Sequence, residues 1–491
     1  MPVLNWIGKD KVVNHDKDVP FRLLNKVGNL STKEDSENLI IEGDNLEALK
    51  ALMPYYSGQV KCIYIDPPYN TGNEKWVYND KVNSPEIRKW LGKVVGPDGE
   101  DLNRHDKWLC MMYPRLKLLK ELLREDGGIL ISIDYNEESH LRILMNEIYG
   151  EENYRNTFVV SRVKKNIQER EKVKAVNFGY DVILFYGKSE KCLVEPPMKF
   201  QKKDERWHAF DAPGIRPTME YEIFGKHPPK GRHWMYSKEN SQEMIKKGEL
   251  RKNPKTESIQ YLLKASNYTL LDTNWTDIQE YDSDWNFPNG EKNVALIKRV
   301  VKMLDEPNSI ILDSFAGSGT TGHAVLDLNK EDKGNRKFIL VEMESNIAED
   351  ITAERLRKVI NGYSHNGNKV GGLGGGFQFM RLGTTLFDKD GFISEDVTFK
   401  DLAQYIYFTE TKTALNTRKI DGLFIGEKND TEYYLLFKGI KKNVLDNKIL
   451  KQINKSHNPK IIYADRCLIN KTTLAKYKIT FKQIPYEVKT Y

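Results

Sequence analysis

Cysteine is scarce in this sequence: four residues in 491, at Cys62, Cys110, Cys192 and Cys467. They are scattered, without the paired spacing of a zinc site, so reduced and mostly buried thiols are expected. Long apolar runs are missing as well. No stretch approaches the roughly 18 apolar residues that cross a bilayer. The opening MPVLNWIGKD lacks the apolar core of a signal peptide. A soluble, cytoplasmic protein with no membrane contact is the expectation. His227 and His233 have no acidic or cysteine neighbours at ligand spacing, so no metal is expected there. No internal repeat is visible. Neither sign of charge dominates: 76 Lys and Arg face 70 Asp and Glu, a net +6 that permits a polyanionic partner without requiring one.

The length argues for two or three domains. Short β-branched runs alternate with helical patterns, the signature of the α/β class. Residues 38–42 (NLIIE) form a strand candidate, followed by Gly43-Asp44-Asn45 and a helix through Leu46, Leu49 and Leu52. Residues 60–65 (VKCIYI) are a second, leading directly into Asp66-Pro67-Pro68-Tyr69. A helical spacing runs from Trp108 to Leu123 and is expected to end near Gly127-Gly128, before a strand at 129–133. Further strands are expected at 157–163 and 181–186. Between 187 and 285 the pattern weakens. Residues 155–260 hold 23 Lys and Arg against 14 Asp and Glu, a local surplus suited to phosphate contacts. Trp207, His208, Trp234, Tyr236, Trp275 and Trp285 are interleaved there, either as a nucleic-acid surface or as the core of a small irregular domain. Regular order returns with a helix through Val294–Leu304, a strand at 309–312, and Asp313-Ser314-Phe315-Ala316-Gly317-Ser318-Gly319-Thr320-Thr321-Gly322. A strand at 337–341 then ends at Glu342. The run Gly371-Gly372-Leu373-Gly374-Gly375-Gly376 suggests a linker, and the lysines between 438 and 455 suggest a solvated face.

Two motifs carry chemistry. A strand, then Gly317-x-Gly319-x-x-Gly322, then a helix lets backbone approach a ligand closely. No Lys follows the last glycine, which excludes a P-loop. A dinucleotide remains conceivable, but Asp313 just before the loop would repel a pyrophosphate, whereas it can pair with the ammonium of a methionine moiety. That favours S-adenosylmethionine. In Asp66-Pro67-Pro68-Tyr69 the two prolines fix φ and remove two donors, leaving a carboxylate and carbonyls as acceptors. The Asp66 carboxylate and the Pro67 carbonyl match the two hydrogens of an exocyclic amino group. Tyr69 could stack on a base that has left the duplex.

These motifs together resemble the DNA amino-methyltransferases. With the catalytic motif first and the cofactor loop later, the order is similar to their β class. The extended forms Asp66-Pro67-Pro68-Tyr69-Asn70-Thr71-Gly72-Asn73 and Asp313 to Thr321 resemble the modification (Mod) subunits of type III restriction–modification systems. So do Ile41-Glu42-Gly43-Asp44-Asn45-Leu46-Glu47, Phe287-Pro288-x-Gly290-x-Lys292-Asn293 and Phe481-Lys482-Gln483-Ile484-Pro485-Tyr486-Glu487. The resemblance implies a Rossmann-like α/β methyltransferase fold with circularly rearranged motif order, a target-recognition insertion and a small α/β C-terminal domain. It implies a catalytic tetrad of Asp66, Pro67, Pro68 and Tyr69. The S-adenosylmethionine site would comprise Asp44, Asp313, Phe315, Ala316, Gly317, Ser318, Gly319, Thr320, Thr321 and Glu342, with Glu342 on the ribose hydroxyls. Asp at position 66 points to adenine N6 over cytosine N4, which stays open as the alternative. A non-catalytic scaffold is the other. Double-stranded DNA, a second copy of the chain and a separate restriction (Res) subunit are the implied partners. Tyr180 stands where such subunits often carry His before the Asp.

The expected organisation is an N-terminal arm (1–29), a catalytic half (30–186), a target-recognition region (187–286), a cofactor-binding half (287–362), a glycine-rich linker (363–376) and a C-terminal domain (377–491).

Overall fold

A strand that is apolar at every position is satisfied only when both of its faces are covered. The computed structural model supplies such cover. It describes residues 3–33, 36–71, 92, 103–162, 176, 178–282, 285, 290–304, 306–365, 368–388, 391–439, 442–453 and 456–484. Gly72, Asn73, Phe287, Pro288, Pro485, Tyr486 and Glu487 of the motifs above, and Val163 of an expected strand, lie outside the described residues. Among the described residues no helix is long and apolar enough to cross a membrane.

Ten strands form one sheet: β1 (Arg22–Lys26), β2 (Leu39–Glu42), β3 (Val60–Ile65), β4 (Leu123–Ile133), β5 (Tyr154–Ser161), β6 (Tyr180–Gly187), β7 (Asn274–Gln279), β8 (Ile310–Asp313), β9 (Lys337–Glu342) and β10 (Gln378–Thr385). Their order is β1-β10-β2-β9-β8-β3-β4-β6-β5-β7. All run parallel except β1, antiparallel to β10, and β6, antiparallel to both β4 and β5. The period-2 alternation of strands divides the core between the two faces. Ile63, Ile65, Ile129 and Ile131 pack with helices α1 (Asn45–Tyr56), α2 (Arg104–Leu122) and α3 (Glu138–Tyr149). Cys62, Tyr64, Leu130 and Ile311 pack on the other side with α4 (Val294–Met303), α5 (Thr320–Asp332) and α6 (Glu354–Asn361). The fold is a doubly wound α/β sheet.

Its connections position the site. From β8 the chain turns into α5 and then β9, on one side of β8. From β3 it reaches α2 and then β4, on the other side of β3. Strands β8 and β3 are neighbours in register, Leu312 beside Ile63. The two connections therefore diverge and leave a crevice at the carboxyl ends of these strands, where open α/β sheets bind ligands. Both motifs sit at its lip.

Three expectations change. Helix α2 stops at Leu122 and β4 begins at once, because Gly127 and Gly128 lie inside the strand. A Cβ at Gly128 would come within 2.7 Å of the Phe185 ring, so the glycine serves strand packing and not a helix stop. The arm at 1–29 is no appendage, since β1 closes the sheet edge against β10. Nor does the glycine run end the catalytic core: β10 follows it and pairs with β2 within the same sheet, one strand in from the edge. Beyond β10, helix α7 (Phe399–Thr411) packs with strands β11 (Phe424–Lys428), β12 (Thr431–Leu435), β13 (Lys460–Ala464) and β14 (Ile479–Gln483), a second, four-stranded sheet. Leu23 of β1 shares its core.

Residues Pro196–Asp272 form a separate compact unit. Short strands, a helix at Lys238–Lys246 and a small core of Phe210, Ile223, Trp234, Leu250 and Ile259 build it. The aromatic residues divide between core and surface. Trp234 is core, whereas His208 is exposed and Arg251 stacks 4.1 Å over the Trp207 ring. Trp275 belongs to the main sheet, fully buried against Phe158.

Candidate active site

At the end of β8 the chain must reverse sharply into α5, and the glycines make this possible. Gly317 and Gly319 adopt φ of 51° and 78°, a region costly for residues with a Cβ. A Cβ on Gly322 would meet Leu356 and Leu340 at about 3.0–3.1 Å, so this position sets how closely α5 lies on the sheet. Asp313 is buried; its Oδ1 accepts from the Phe315 amide at 3.0 Å and its Oδ2 from the Thr321 hydroxyl at 2.6 Å. Burial, then the negative charge of Asp66 and Glu342, pushes its carboxyl up to about 7. Glu342 is also buried, accepting from the Gly317 amide at 2.9 Å and the Glu344 amide at 3.0 Å, and so clamps the loop.

At the end of β3, Asp66 shares a cleft with Asp313, Phe315, Ala316, Gly317, Ser318, Thr320 and Thr321, bounded further by Tyr64, Tyr281 and Lys292. Trp108 donates to the Pro68 carbonyl at 2.7 Å and pins the proline turn to α2. Lys292 is almost wholly buried. Its Nζ lies 3.2 Å from Asp66 Oδ1, 2.6 Å from the Tyr69 hydroxyl and 3.3 Å from the Tyr281 hydroxyl, and it also donates to Glu280 Oε1. Tyr69 donates to Glu280 at 3.0 Å. Burial alone would lower the Lys292 ammonium, but Asp66 and Glu280 override it and hold it well above its usual value. Burial, then Glu280, raises the Asp66 carboxyl, with Lys292 and Tyr69 opposing. Behind Glu280, Asp181 is buried and held above the carboxylate range by burial and by a hydrogen bond to Glu280. Burial and the neighbouring Glu280 thus favour the neutral form of Asp181, while Lys292 favours the charged form of Glu280.

The surplus of buried carboxylate is what a cationic ligand would relieve. An anionic pyrophosphate would make it worse.

A family description for DNA methylases of the N6/N4 type matches residues 60–354, more than half of the sequence. The chain belongs to the N6/N4 DNA methylase family. The Mod subunit of the type III restriction–modification enzyme StyLTI from Salmonella typhimurium is 30% identical, the alignment spanning 83% of this methylase and 71% of that subunit. The EcoP15I Mod subunit of Escherichia coli is 28% identical over 75% and 70% of the two chains. The type II methyltransferase M.KpnI of Klebsiella pneumoniae is 28% identical, spanning 69% of this methylase and 92% of that enzyme. The methylase is an S-adenosylmethionine-dependent DNA methyltransferase.

Not every expected residue meets at the cleft of this methylase. Asp44 is the N-cap of α1, accepting from the Leu46 amide at 2.8 Å, and it pairs with the buried Arg115 at 3.2 Å. Its neighbour Asn45 donates to the Ser314 carbonyl at 3.1 Å, tying the two turns together. Tyr69 is 1% exposed, so its ring has no open face; stacking on a base requires its cover to withdraw. Ser318 and Thr320 turn their hydroxyls to Arg355, at 2.8 and 2.9 Å, and Arg355 is itself paired with buried Glu291 at 3.0 Å. Glu280, Glu291 and Arg355 have no role in the sequence motifs, and Lys292 and Asp181 enter only as letters of motifs. Of these only Asp181 opens a strongly apolar run (DVILFY); the others carry no local signal and emerge only once the fold is known.

A second cluster also appeared only in the structure. His105 and His140 donate or accept at 2.6 and 2.8 Å to the two oxygens of fully buried Glu137, which also takes the Asn70 amide. It holds Asn70, at φ 56°, directly after the proline turn. Among the described residues, this group and not His227 with His233 is where three potential metal ligands converge; the His233 ring meets the Gly214 carbonyl at 2.9 Å.

Proposed function

We propose that this methylase modifies the N6 amino group of an adenine flipped out of double-stranded DNA, with Asp66, Pro67, Pro68 and Tyr69 receiving the base and the loop from Asp313 to Thr321 receiving the cofactor. The observation that carries the reading is the placement of Asp66 and Asp313 at adjacent ends of parallel strands, on one cleft, at the point where the connections diverge. S-adenosylmethionine, when bound, supplies an electrophilic methyl group. Asp66 and the Pro67 carbonyl accept the two amino hydrogens, which orients the nitrogen lone pair away from the ring plane. Tyr69 packs on the base. Asp313 pairs with positive charge on the methionine end, and Glu342 serves the ribose side. The proton given up by the amine can leave to solvent, so no general base is required.

In the same reading the chain is a modification subunit of the type III kind. It acts as a homodimer, and the unit at 196–272 contributes to reading the target sequence. A separate Res subunit would supply any cleavage.

The test is single-molecule sequencing of plasmid DNA from a methylation-free host expressing the wild type or Asp66→Ala. Modified adenine within one short motif, absent with Asp66→Ala, is the expected result. Modified cytosine would move the reading to N4. No modification, together with no cofactor binding by the purified chain, would refute it.

A further inference from the structure

We propose that Lys292 is a positioning residue of the transfer reaction, which keeps Asp66 an acceptor-only carboxylate and fixes the Tyr69 hydroxyl beside it. The inference rests on the reading of Asp66 as the group that receives the target amine.

A lysine ammonium has three donor hydrogens and no acceptor, and it is rarely buried unless paired. Lys292 places those hydrogens among the oxygens of Asp66, Tyr69, Glu280 and Tyr281, at the distances given above. Its Nζ also lies 4.4 Å from the Tyr281 ring centre and 5.1 Å from that of Tyr69, so the two rings flank the charge. It reaches the cleft from the short hairpin strand Glu291–Lys292, paired with Tyr281–Asp282, while Glu280 precedes that pair. The hairpin thus delivers both the cation and its counter-ion.

The reaction needs this cation for a simple reason. A carboxylic acid accepts far more weakly than a carboxylate and adds an O–H donor that an amino group offering its hydrogens cannot use. Asp66 must stay ionised although its surroundings work against that. The groups bearing on it are Glu280, Asp313, Tyr64, Tyr69 and Tyr281, which carry negative or no charge, and Lys292, the cation in direct contact. Asp66 and Glu280 keep Lys292 charged, and Asp181 behind Glu280, with Arg162 at 3.3 Å on its other side, is pushed towards its neutral form by burial. Lys292 thus joins Glu280, outside the cleft lining, to Asp66, which shares the cleft with the cofactor loop.

The full chain is assayed for single-turnover methyl transfer to unmethylated plasmid DNA between about pH 5.5 and 9, with cofactor affinity measured separately. In Lys292→Gln the acid limb of the rate should move upward by about 1–3 pH units, the range for loss of a close opposite charge. Lys292→Arg should restore the wild-type limb. If Lys292→Gln does not fold, Lys292→Ala with and without ethylammonium gives the same comparison, the cation pulling the limb back. A variant rate lowered equally at every pH, or Lys292→Arg as impaired as Lys292→Gln, would overturn the inference while an inactive Asp66→Ala leaves the reading of Asp66 intact. An active Asp66→Ala would instead remove the reading itself.

Discussion

Asp313 offers a quantitative prediction because its carboxyl titrates near neutrality, pushed up to about 7 by burial and then by Asp66 and Glu342. If it pairs with a positive group of S-adenosylmethionine, the ionised form binds and the protonated form does not. With a midpoint near 7, about nine-tenths of the free protein is ionised at pH 8 and about one-tenth at pH 6. Cofactor affinity should therefore weaken about tenfold on going from pH 8 to pH 6, or about 1.4 kcal/mol. The sign follows from linkage: binding lowers the Asp313 midpoint, so at pH 6 it expels close to one proton and at pH 8 almost none. Isothermal titration calorimetry in two buffers of different ionisation enthalpy counts that proton directly. Asp313→Asn should bind more weakly at pH 8 and show no proton release at either pH. S-adenosylhomocysteine, which keeps the ammonium but loses the sulfonium charge, should retain the release if the ammonium is the partner. Affinity that is flat from pH 6 to 8, with no buffer dependence at pH 6, would refute the pairing.

Other consequences are as direct. Arg355→Met strands buried Glu291 and frees the Ser318 and Thr320 hydroxyls; it should cost about 3–5 kcal/mol in urea unfolding, the usual loss for one half of a buried pair, and weaken cofactor binding too. Gly319→Ala forces a Cβ into the left-handed region and within 3.0 Å of Thr352 Cγ2; a loss of about 1–2 kcal/mol is expected in the same assay. Asp181, held above its ordinary 3.8 in the folded state, keeps a proton that the unfolded chain releases. Its contribution to stability therefore declines as pH rises above about 4, and Asp181→Asn should flatten the fall in melting temperature between pH 6 and 8.5.

The sequence exposed the strand ends and hid what lies behind them. Asp66 and Asp313 were legible because each ends an apolar run and opens a turn of unusual chemistry, which local pattern records. Lys292 was not, because it meets Tyr69 across 223 residues and nothing local marks it. Glu342 was legible as an acid at a strand end, but its grip on the Gly317 amide was not. Asp44 shows the reverse case: its motif suggested ligand contact, and the structure adds a helix cap and a buried arginine partner that the motif did not announce. In sequence Gly127-Gly128 and the run at 371–376 read as punctuation, since glycine most often breaks elements. Here the first pair serves close packing and the second run only makes a turn before the sheet resumes.

That last turn has a practical meaning for dividing the molecule. A fragment ending at 376 would shed β10, and with it the partner of β1 and one edge of β2. It would leave β2 with a row of open backbone donors and acceptors, a template for aggregation. A cut that respects the sheet falls after Thr385, and even there Leu23 would lose the core it shares with α7. Grafting experiments that treat the glycines as a seam between interchangeable parts should therefore yield insoluble halves, while exchanges confined to Pro196–Asp272 should leave the sheet whole.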